Sequence, residues 1–302
     1  MLGHLLAKHA KVRPYGWRTY WLLIAPACVV LFGLCIVPLS ISIWSSLLNY
    51  SLITGPDGLA NPTNYQVFLT TVYFWNPTML VTAVFTVSAV TIEFALGFLL
   101  AVLTSREMRG VNFFKSVFIV PIFMMPLAVG ILWRYLYQPS YGIINALLSI
   151  LGWTGELPRW NAASSTALLS ILIADVWQWT GFMFIILLAG FNTVPKESME
   201  SARIDGASEW RILRRIVIPY IMPIISIALF LRLIDAYREF DKVFILTGGG
   251  PGNITETLSY HVYLQMFRFF DVGVASAISI FALVLIYQVA LRLIAILKME
   301  RK

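Results

Sequence analysis

Charged side chains are scarce in this chain of 302 residues: Asp, Glu, Lys and Arg make up 12% of it, whereas hydrophobic residues make up 59%. Soluble globular domains carry about 25% charged residues. The scarcity therefore excludes a soluble globule and indicates a membrane protein. The net charge of +7 does not indicate a nucleic-acid partner, because the Lys and Arg residues cluster beside apolar runs and form no separate basic domain.

Cysteine and histidine are also rare, and reactive motifs are missing. The two cysteines both fall in the first apolar run, and the three histidines are scattered at His4, His9 and His261. Neither a disulfide framework nor a metal-ligand cluster is predicted. The sequence has no H-E-x-x-H or G-x-S-x-G motif, and the glycines at 248–252 lack the Gly-Lys-Ser/Thr ending of a phosphate-binding loop. We therefore predict that the chain is not an enzyme and binds no cofactor of its own.

Long apolar runs dominate what is present. They lie at about 20–46, 77–104, 113–137, 166–191, 217–237 and 273–297. A membrane-crossing helix needs about 20 predominantly apolar residues. The first run is too long for a signal peptide, so we interpret it as a retained span. The pattern predicts an all-α integral membrane protein with about six transmembrane helices, in a single domain from 20 to 297.

Lys and Arg are unevenly shared between the two sides of these spans. One set of connections, including both ends of the chain, holds 16 of them, whereas the alternate connections hold 4. Cytoplasmic loops of membrane proteins carry the excess of Lys and Arg. This asymmetry predicts that segments 1–19 and 298–302, and therefore both termini, are cytoplasmic. It also places the stretch 195–219 in the cytoplasm and the glycine-rich loop outside.

The stretch 195–219 is the most charged part of the chain. A proline opens it, which suits a first helical turn because the missing N–H costs nothing there. Asp205-Gly206 is a helix-stop and turn signal, and Ser208 can cap a second helix. We predict a short helix, a glycine corner and a second helix that enters the membrane.

This stretch resembles the EAA motif, Glu-Ala-Ala-x3-Gly-x9-Ile-x-Leu-Pro, of the membrane subunits of binding-protein-dependent ABC importers. The corresponding residues are Glu200, Ser201, Ala202, Gly206, Ile216, Ile218 and Pro219. Serine stands for one alanine and isoleucine for the leucine. The sequences DGAS at 205–208 and LTGGGPGNIT at 246–255 are similar to the carbohydrate-importing, maltose-type branch, and the resemblance covers nearly the whole chain.

The resemblance implies the type I ABC importer permease fold in a bacterial or archaeal inner membrane. It implies a second homologous permease, an ATPase dimer that uses ATP and Mg, a periplasmic or lipid-anchored solute-binding protein, and a carbohydrate solute. It also implies that 195–219 is a coupling loop that docks on the ATPase. The coupling residues would be Glu200, Ser201, Ala202, Asp205, Gly206 and Ala207. A solvated amphipathic loop helix is the alternative.

Three ionisable residues in or beside the fifth run are candidates for the solute pathway. Arg232, Asp235 and Glu239 are spaced three and four apart and so share one helical face. Intramembrane charges pair with one another or face a cavity. The resemblance implies that this face lines the substrate cavity. The alternative is an Arg232–Asp235 pair that only fixes helix packing, and Glu93 in the second run is interpreted as a structural hydrogen-bonding group.

The fourth run mixes aromatic and polar residues between Asp175 and Phe184. Aromatic faces suit sugar rings, and amides and hydroxyls suit sugar hydroxyl groups. The resemblance implies that Thr180, Gly181 and Phe184 lie along the pathway. An interfacial aromatic belt is an equally good interpretation of the tryptophans.

These features together predict a permease subunit that moves a sugar or related carbohydrate by alternating access, while a partner chain hydrolyses ATP. An ion-coupled secondary transporter is the alternative, with Arg232, Asp235 and Glu93 as the coupling groups. A membrane-embedded enzyme is a third class, but the sequence shows no reactive cluster for it.

Overall fold

A computed structural model describes residues 17–60, 62–105 and 111–299. Most of the predicted terminal segments 1–19 and 298–302 lie outside the described residues. The α-helices are α1 (Trp17–Ser46), α2 (Thr63–Thr70), α3 (Leu80–Thr104), α4 (Val111–Ile119), α5 (Pro126–Leu136), α6 (Ile143–Ile150), α7 (Ala167–Phe191), α8 (Lys196–Ile204), α9 (Glu209–Ile212), α10 (Ile218–Tyr237), α11 (Leu258–Tyr263) and α12 (Val272–Met299). Short π-helical turns adjoin several of them, at Phe74–Met79, Leu213–Val217, Val243–Thr247 and Leu264–Arg268.

Five stretches of the described chain are long and apolar enough to cross a membrane, and a bent helix pair makes a sixth. The five are Trp21–Ser46, Phe74–Thr104, Ala167–Phe191, Glu209–Tyr237 and Val272–Leu293. The predicted all-α membrane architecture with about six spans is confirmed. The cytoplasmic location of the termini stays a prediction, because the fold does not show which side of the membrane they face.

The third apolar run is not the single helix that its hydropathy predicts. Helix α4 ends at Ile119, a 3₁₀ turn follows at Val120–Phe123, and α5 leaves at an angle of 107°. Pro121 and Pro126 explain the break, because proline lacks an N–H donor and disfavours α-helical geometry in the residue before it. Met125 accordingly has an extended ψ of 135°. The run therefore forms a broken span.

The connection between the first two spans contains a two-stranded antiparallel hairpin, which the all-α prediction missed. Its strands are β1 (Leu48–Ser51) and β2 (Gly55–Leu59). The buried amide of Asn64, in α2, donates at 2.8 Å to both Ser46 O and Leu48 O. This side chain fastens the hairpin and α2 to the end of α1.

Helices α3, α7 and α10 pack against one another in the middle of the molecule, whereas α1 packs on α12 and leaves most of its side chains exposed. Gly97 of α3 lies at the closest approach to α7. A Cβ atom at this position would lie 2.6 Å from Met183 Cβ and 2.8 Å from the backbone nitrogen of Phe184. Small residues allow such close contact between membrane helices.

We predict that Gly97→Ala separates α3 from α7 and lowers the free energy of unfolding by about 1–3 kcal/mol, because the added methyl group overpacks the contact. Gly33→Ala is the matched control, since Gly33 in α1 has no atom near its Cβ position. Thermal unfolding of the purified protein in detergent would show the difference. Equal melting temperatures for the two variants would contradict this packing.

Candidate functional site: a buried ionic cluster beside a polar cleft

Arg232, in α10, pairs with carboxylates from three helices and is only 1% exposed. Its Nε lies 2.5 Å from Glu93 Oε2 and its Nη2 lies 2.9 Å from Glu93 Oε1, a two-point contact with α3. Its Nη2 also donates to Asp175 Oδ2 in α7, and its Nη1 donates to Asp235 Oδ2 at 3.0 Å. One guanidinium therefore joins α3, α7 and α10.

Lys242 is a second buried cation and lies just beyond α10. Its Nζ is 3.0 Å from Asp175 Oδ1 and 2.9 Å from Glu239 Oε2. Its backbone N–H also donates to Glu239 Oε1 at 2.8 Å. Asp175 thus lies between two cations, and the segment after α10 is fastened to α7. In the sequence, the i,i+3 spacing of Glu239 and Lys242 is the signal that indicates this pairing.

We call these six residues the ionic cluster: Glu93, Asp175, Arg232, Asp235, Glu239 and Lys242. Five of the six are buried, and the Asp235 side chain is 42% exposed. Burying an ion costs several kcal/mol unless partners with good geometry offset the loss of water. The cluster is therefore stable only while all three helices hold one relative arrangement.

A cleft of about 330 Å³ opens beside the ionic cluster. We call it the polar cleft, and it is lined by Pro126, Trp179, Asp235, Arg238, Glu239, Phe240, Asp241 and Lys242. The Trp179 ring centroid lies 5.2 Å from the guanidinium carbon of Arg232. The cation–π contact fixes the ring against the cluster. The cleft thus combines aromatic rings with hydrogen-bond donors and acceptors.

The structure separates the three predicted residues of the fifth run. Asp235 and Glu239 line the polar cleft, whereas Arg232 is buried behind it. The Arg232–Asp235 packing pair, which was the alternative interpretation, is formed. Asp235 pairs with Arg232 and also faces the cleft, and its role in the solute pathway stays a prediction. Glu93 makes the structural hydrogen bonds that were expected of it.

The structure does not bring Thr180, Gly181 and Phe184 to the polar cleft. The Thr180 hydroxyl donates to Val176 O within its own helix, Gly181 packs against the backbone of α4, and Phe184 is fully buried in a hydrophobic cluster. These residues pack inside the chain, and their predicted position along the pathway stays a prediction. Trp179 is the residue of α7 that faces the cleft.

The stretch 195–219, which we call the coupling segment, has the predicted helix, corner and second helix. After α8, Gly206 adopts φ +78°, and the N–H groups of Gly206 and Ala207 donate to Arg203 O at 3.0 Å and Ala202 O at 2.9 Å. This is a glycine-terminated helix end that satisfies the last carbonyls. The Ser208 hydroxyl accepts from the N–H of Arg211 at 3.4 Å and caps α9.

The two faces of the coupling segment differ in character. Ala202 and Ala207 pack against the hydrophobic core of the membrane domain, so their small size permits contact with the chain itself. Glu200, Ser201 and Asp205 are exposed. The apolar side chain of Ile204 is also exposed, with 86% of its surface accessible to solvent.

An ion pair crosses the corner of the coupling segment. The Nε of Arg203, in α8, donates to Glu209 Oε1 at 2.8 Å. This hydrogen bond raises the pKa of Arg203 above its usual value. The pair is half-exposed and therefore contributes little to stability.

The candidate spans, which enclose a buried ionic cluster, define a multi-pass membrane protein. Residues 93–298 match the family described as the binding-protein-dependent transport system inner membrane component. The chain belongs to this family and is therefore a transport subunit of the inner membrane. The matched residues include all of the ionic cluster and the coupling segment.

Several curated relatives resemble the chain over most of its length. A probable ABC transporter permease protein of Sinorhizobium fredii is 38% identical over 89% of this chain and 86% of its own. The trehalose/maltose transport system permease protein MalF of Thermococcus litoralis is 34% identical over 88% of this chain and 89% of its own. A bacterial ABC transporter structure, described as involved in the import of the acidic polysaccharide alginate, superposes with a TM-score of 0.80 at 20% identity, covering 94% of this chain and 98% of that one. The type I importer permease fold is thereby confirmed.

We predict that Asp175→Asn is far more destabilising than Asp235→Asn. Asp175 is buried between two cations, and removing one partner of a buried ion pair costs about 3–5 kcal/mol. Asp235 is partly exposed, so its loss should cost less than about 1 kcal/mol. Melting temperatures of the two purified variants would test this, and equal shifts would contradict the central position of Asp175.

Proposed function

We propose that this permease subunit moves a carbohydrate across the membrane and that the polar cleft forms part of the path. The observation that carries the proposal is the cleft itself, in which the Trp179 ring lies beside carboxylates and basic groups. The names of relatives support the cargo class. Besides the trehalose/maltose system, they include a trehalose transport permease of Mycobacterium tuberculosis and a probable starch degradation products permease of Thermoanaerobacterium thermosulfurigenes.

The chemistry of the polar cleft suits a polyhydroxylated solute. The indole of Trp179 offers a flat apolar surface for the C–H face of a sugar ring. The carboxylates of Asp235 and Asp241 can accept hydrogen bonds from hydroxyl groups, and Arg238 can donate them. A volume of about 330 Å³ lies at the lower end of small-molecule sites. A second permease would complete the path on the opposite side.

The coupling segment is proposed to dock on a separate ATPase dimer, which would bind the ATP and Mg of the system. Ile204 would anchor the contact, because its side chain is 86% exposed and docking would remove this apolar surface from water. Glu200, Ser201 and Asp205 would surround it. Residues 20–297 would then act as one permease domain. A solute-binding protein would deliver the solute to it on the side of the membrane opposite the ATPase. Alternating access would follow from ATPase closure acting on this segment.

An ion-coupled secondary transporter is not favoured. Membership of a binding-protein-dependent family accounts for the coupling segment, which an ion-coupled carrier does not need. The ionisable groups that such a carrier would use are engaged in the ionic cluster. Arg232 and Glu93 are both buried and paired with each other.

We predict that Trp179→Ala lowers ATP-driven uptake of labelled trehalose by about tenfold, because loss of the stacking surface costs on the order of 1 kcal/mol or more. Uptake would be measured in proteoliposomes that contain the complete transporter. Trp177→Ala is the matched control, since Trp177 lies on the same helix but does not line the polar cleft. Equal losses in the two variants would assign the effect to packing and contradict the cleft as the path.

We predict that Ile204→Ser weakens retention of the ATPase by about tenfold, as expected for an anchor residue at an interface. The measurement is the amount of ATPase that copurifies with the permease, together with hydrolysis stimulated by solute-loaded binding protein. Ile53→Ser is the control, because Ile53 is also largely exposed but lies in the hairpin of β1 and β2. Undiminished ATPase retention in Ile204→Ser would contradict docking through this face.

A further inference from the structure

A second cleft, of about 300 Å³, contains two arginines. We call it the arginine cleft. Arg134 and Arg159 line it together with Tyr137, Gln138, Trp160 and Asn161, and no carboxylate is among its lining residues. Among the described residues, Arg134 donates to a backbone carbonyl, Ile245 O, at 3.3 Å. Within the described ranges, no carboxylate lies within ion-pair distance of either guanidinium, so the cleft carries two uncompensated positive charges.

The arginine cleft lies where membrane spans end. Arg134 is in the last turn of α5, and Arg159 lies in the connection that leads into α7. Both helices belong to the predicted spans, so the cleft is expected near the membrane surface. The Oδ1 atom of Asn161 is buried there and accepts no hydrogen bond from the described residues. A ligand with a negative charge and a hydroxyl donor would satisfy both features.

Helix α6 supplies an apolar surface next to the arginine cleft. Ile143, Leu147 and Ile150 recur at helical spacing and are all exposed, Ile150 at 80%. On the opposite face, Asn145 is buried and its Oδ1 accepts from Trp160 Nε1 at 2.8 Å. This bond holds α6 against the wall of the cleft with its apolar stripe outward. Such a helix at a span end suits the boundary between lipid headgroups and acyl chains.

We propose that the arginine cleft and α6 bind an anionic phospholipid. The phosphate diester lies between Arg134 and Arg159, because the guanidinium fork matches phosphate oxygens. The acyl chains lie along the apolar stripe of α6. A glycerol headgroup donates a hydroxyl to Asn161 Oδ1, which selects phosphatidylglycerol over zwitterionic lipids. An acidic side chain of a partner protein would pair with the arginines, but it would leave the apolar stripe of α6 uncovered.

The test is native mass spectrometry of the purified transporter titrated with dioleoyl phosphatidylglycerol or dioleoyl phosphatidylcholine. Wild type should bind phosphatidylglycerol at least tenfold more tightly than phosphatidylcholine. Arg134→Gln with Arg159→Gln should remove this preference. Arg268→Gln, which removes one exposed positive charge outside the cleft, should keep it. If the double variant does not assemble, Arg159→Gln alone makes the same comparison, with an expected loss of at least threefold.

Two further arms separate a lipid from other anions. Ile150→Ser should weaken phosphatidylglycerol binding severalfold, because the acyl chains lose part of their contact. Competition by inorganic phosphate at equal efficiency with the lipid would show a free-anion site and overturn the proposal. So would equal losses in Arg268→Gln and the cleft variants. The cleft variants could instead bind the lipid as wild type does but show weaker stimulation of ATP hydrolysis by the solute-binding protein. That result would assign the arginines to a protein carboxylate and would also overturn the proposal.

Discussion

The multidentate ion pairing of Arg232 is the interaction on which the rest of the membrane domain depends. A guanidinium can be buried among helices only if carboxylates from every side compensate the lost hydration. Glu93 and Asp175 supply them from α3 and α7. The same constraint explains why the glycine at the α3–α7 contact must stay small, because the carboxylates reach Arg232 only when the helices touch.

The ionic cluster also links the two ends of the proposed mechanism. The coupling segment runs through a π-helical turn, Leu213–Val217, directly into α10, and α10 carries Arg232 and Asp235. A displacement of α8 and α9 would therefore be transmitted along α10 to the wall of the polar cleft. Because Asp175 is shared by Arg232 and Lys242, such a displacement would also move the segment that follows α10. Rigid ion pairs suit this transmission, since they favour discrete arrangements over gradual deformation.

Local features of this protein could be predicted from its sequence, whereas contacts between distant helices could not. Hydropathy located the spans, the Asp205-Gly206 signal located the corner, and i,i+3 spacing gave the Arg232–Asp235 pair as an alternative interpretation. Periodicity predicts which residues share a helical face, but it does not predict which other helix that face contacts. The partners Glu93 and Asp175 of Arg232 were therefore not predicted. The rotation of α7 that turns Trp179 and not Thr180 toward the cleft follows from packing. The hydropathy of the third run predicts one continuous span, and Pro121 and Pro126 break it.

The most direct test of the account is uptake by the complete transporter reconstituted in sealed proteoliposomes. Labelled trehalose and its binding protein would be supplied on one side and ATP with Mg on the ATPase side, with ionophores present to abolish proton and sodium gradients. The account predicts accumulation that requires both ATP and the binding protein and is unaffected by the ionophores. Accumulation that occurs without ATP and disappears with the ion gradient would contradict it.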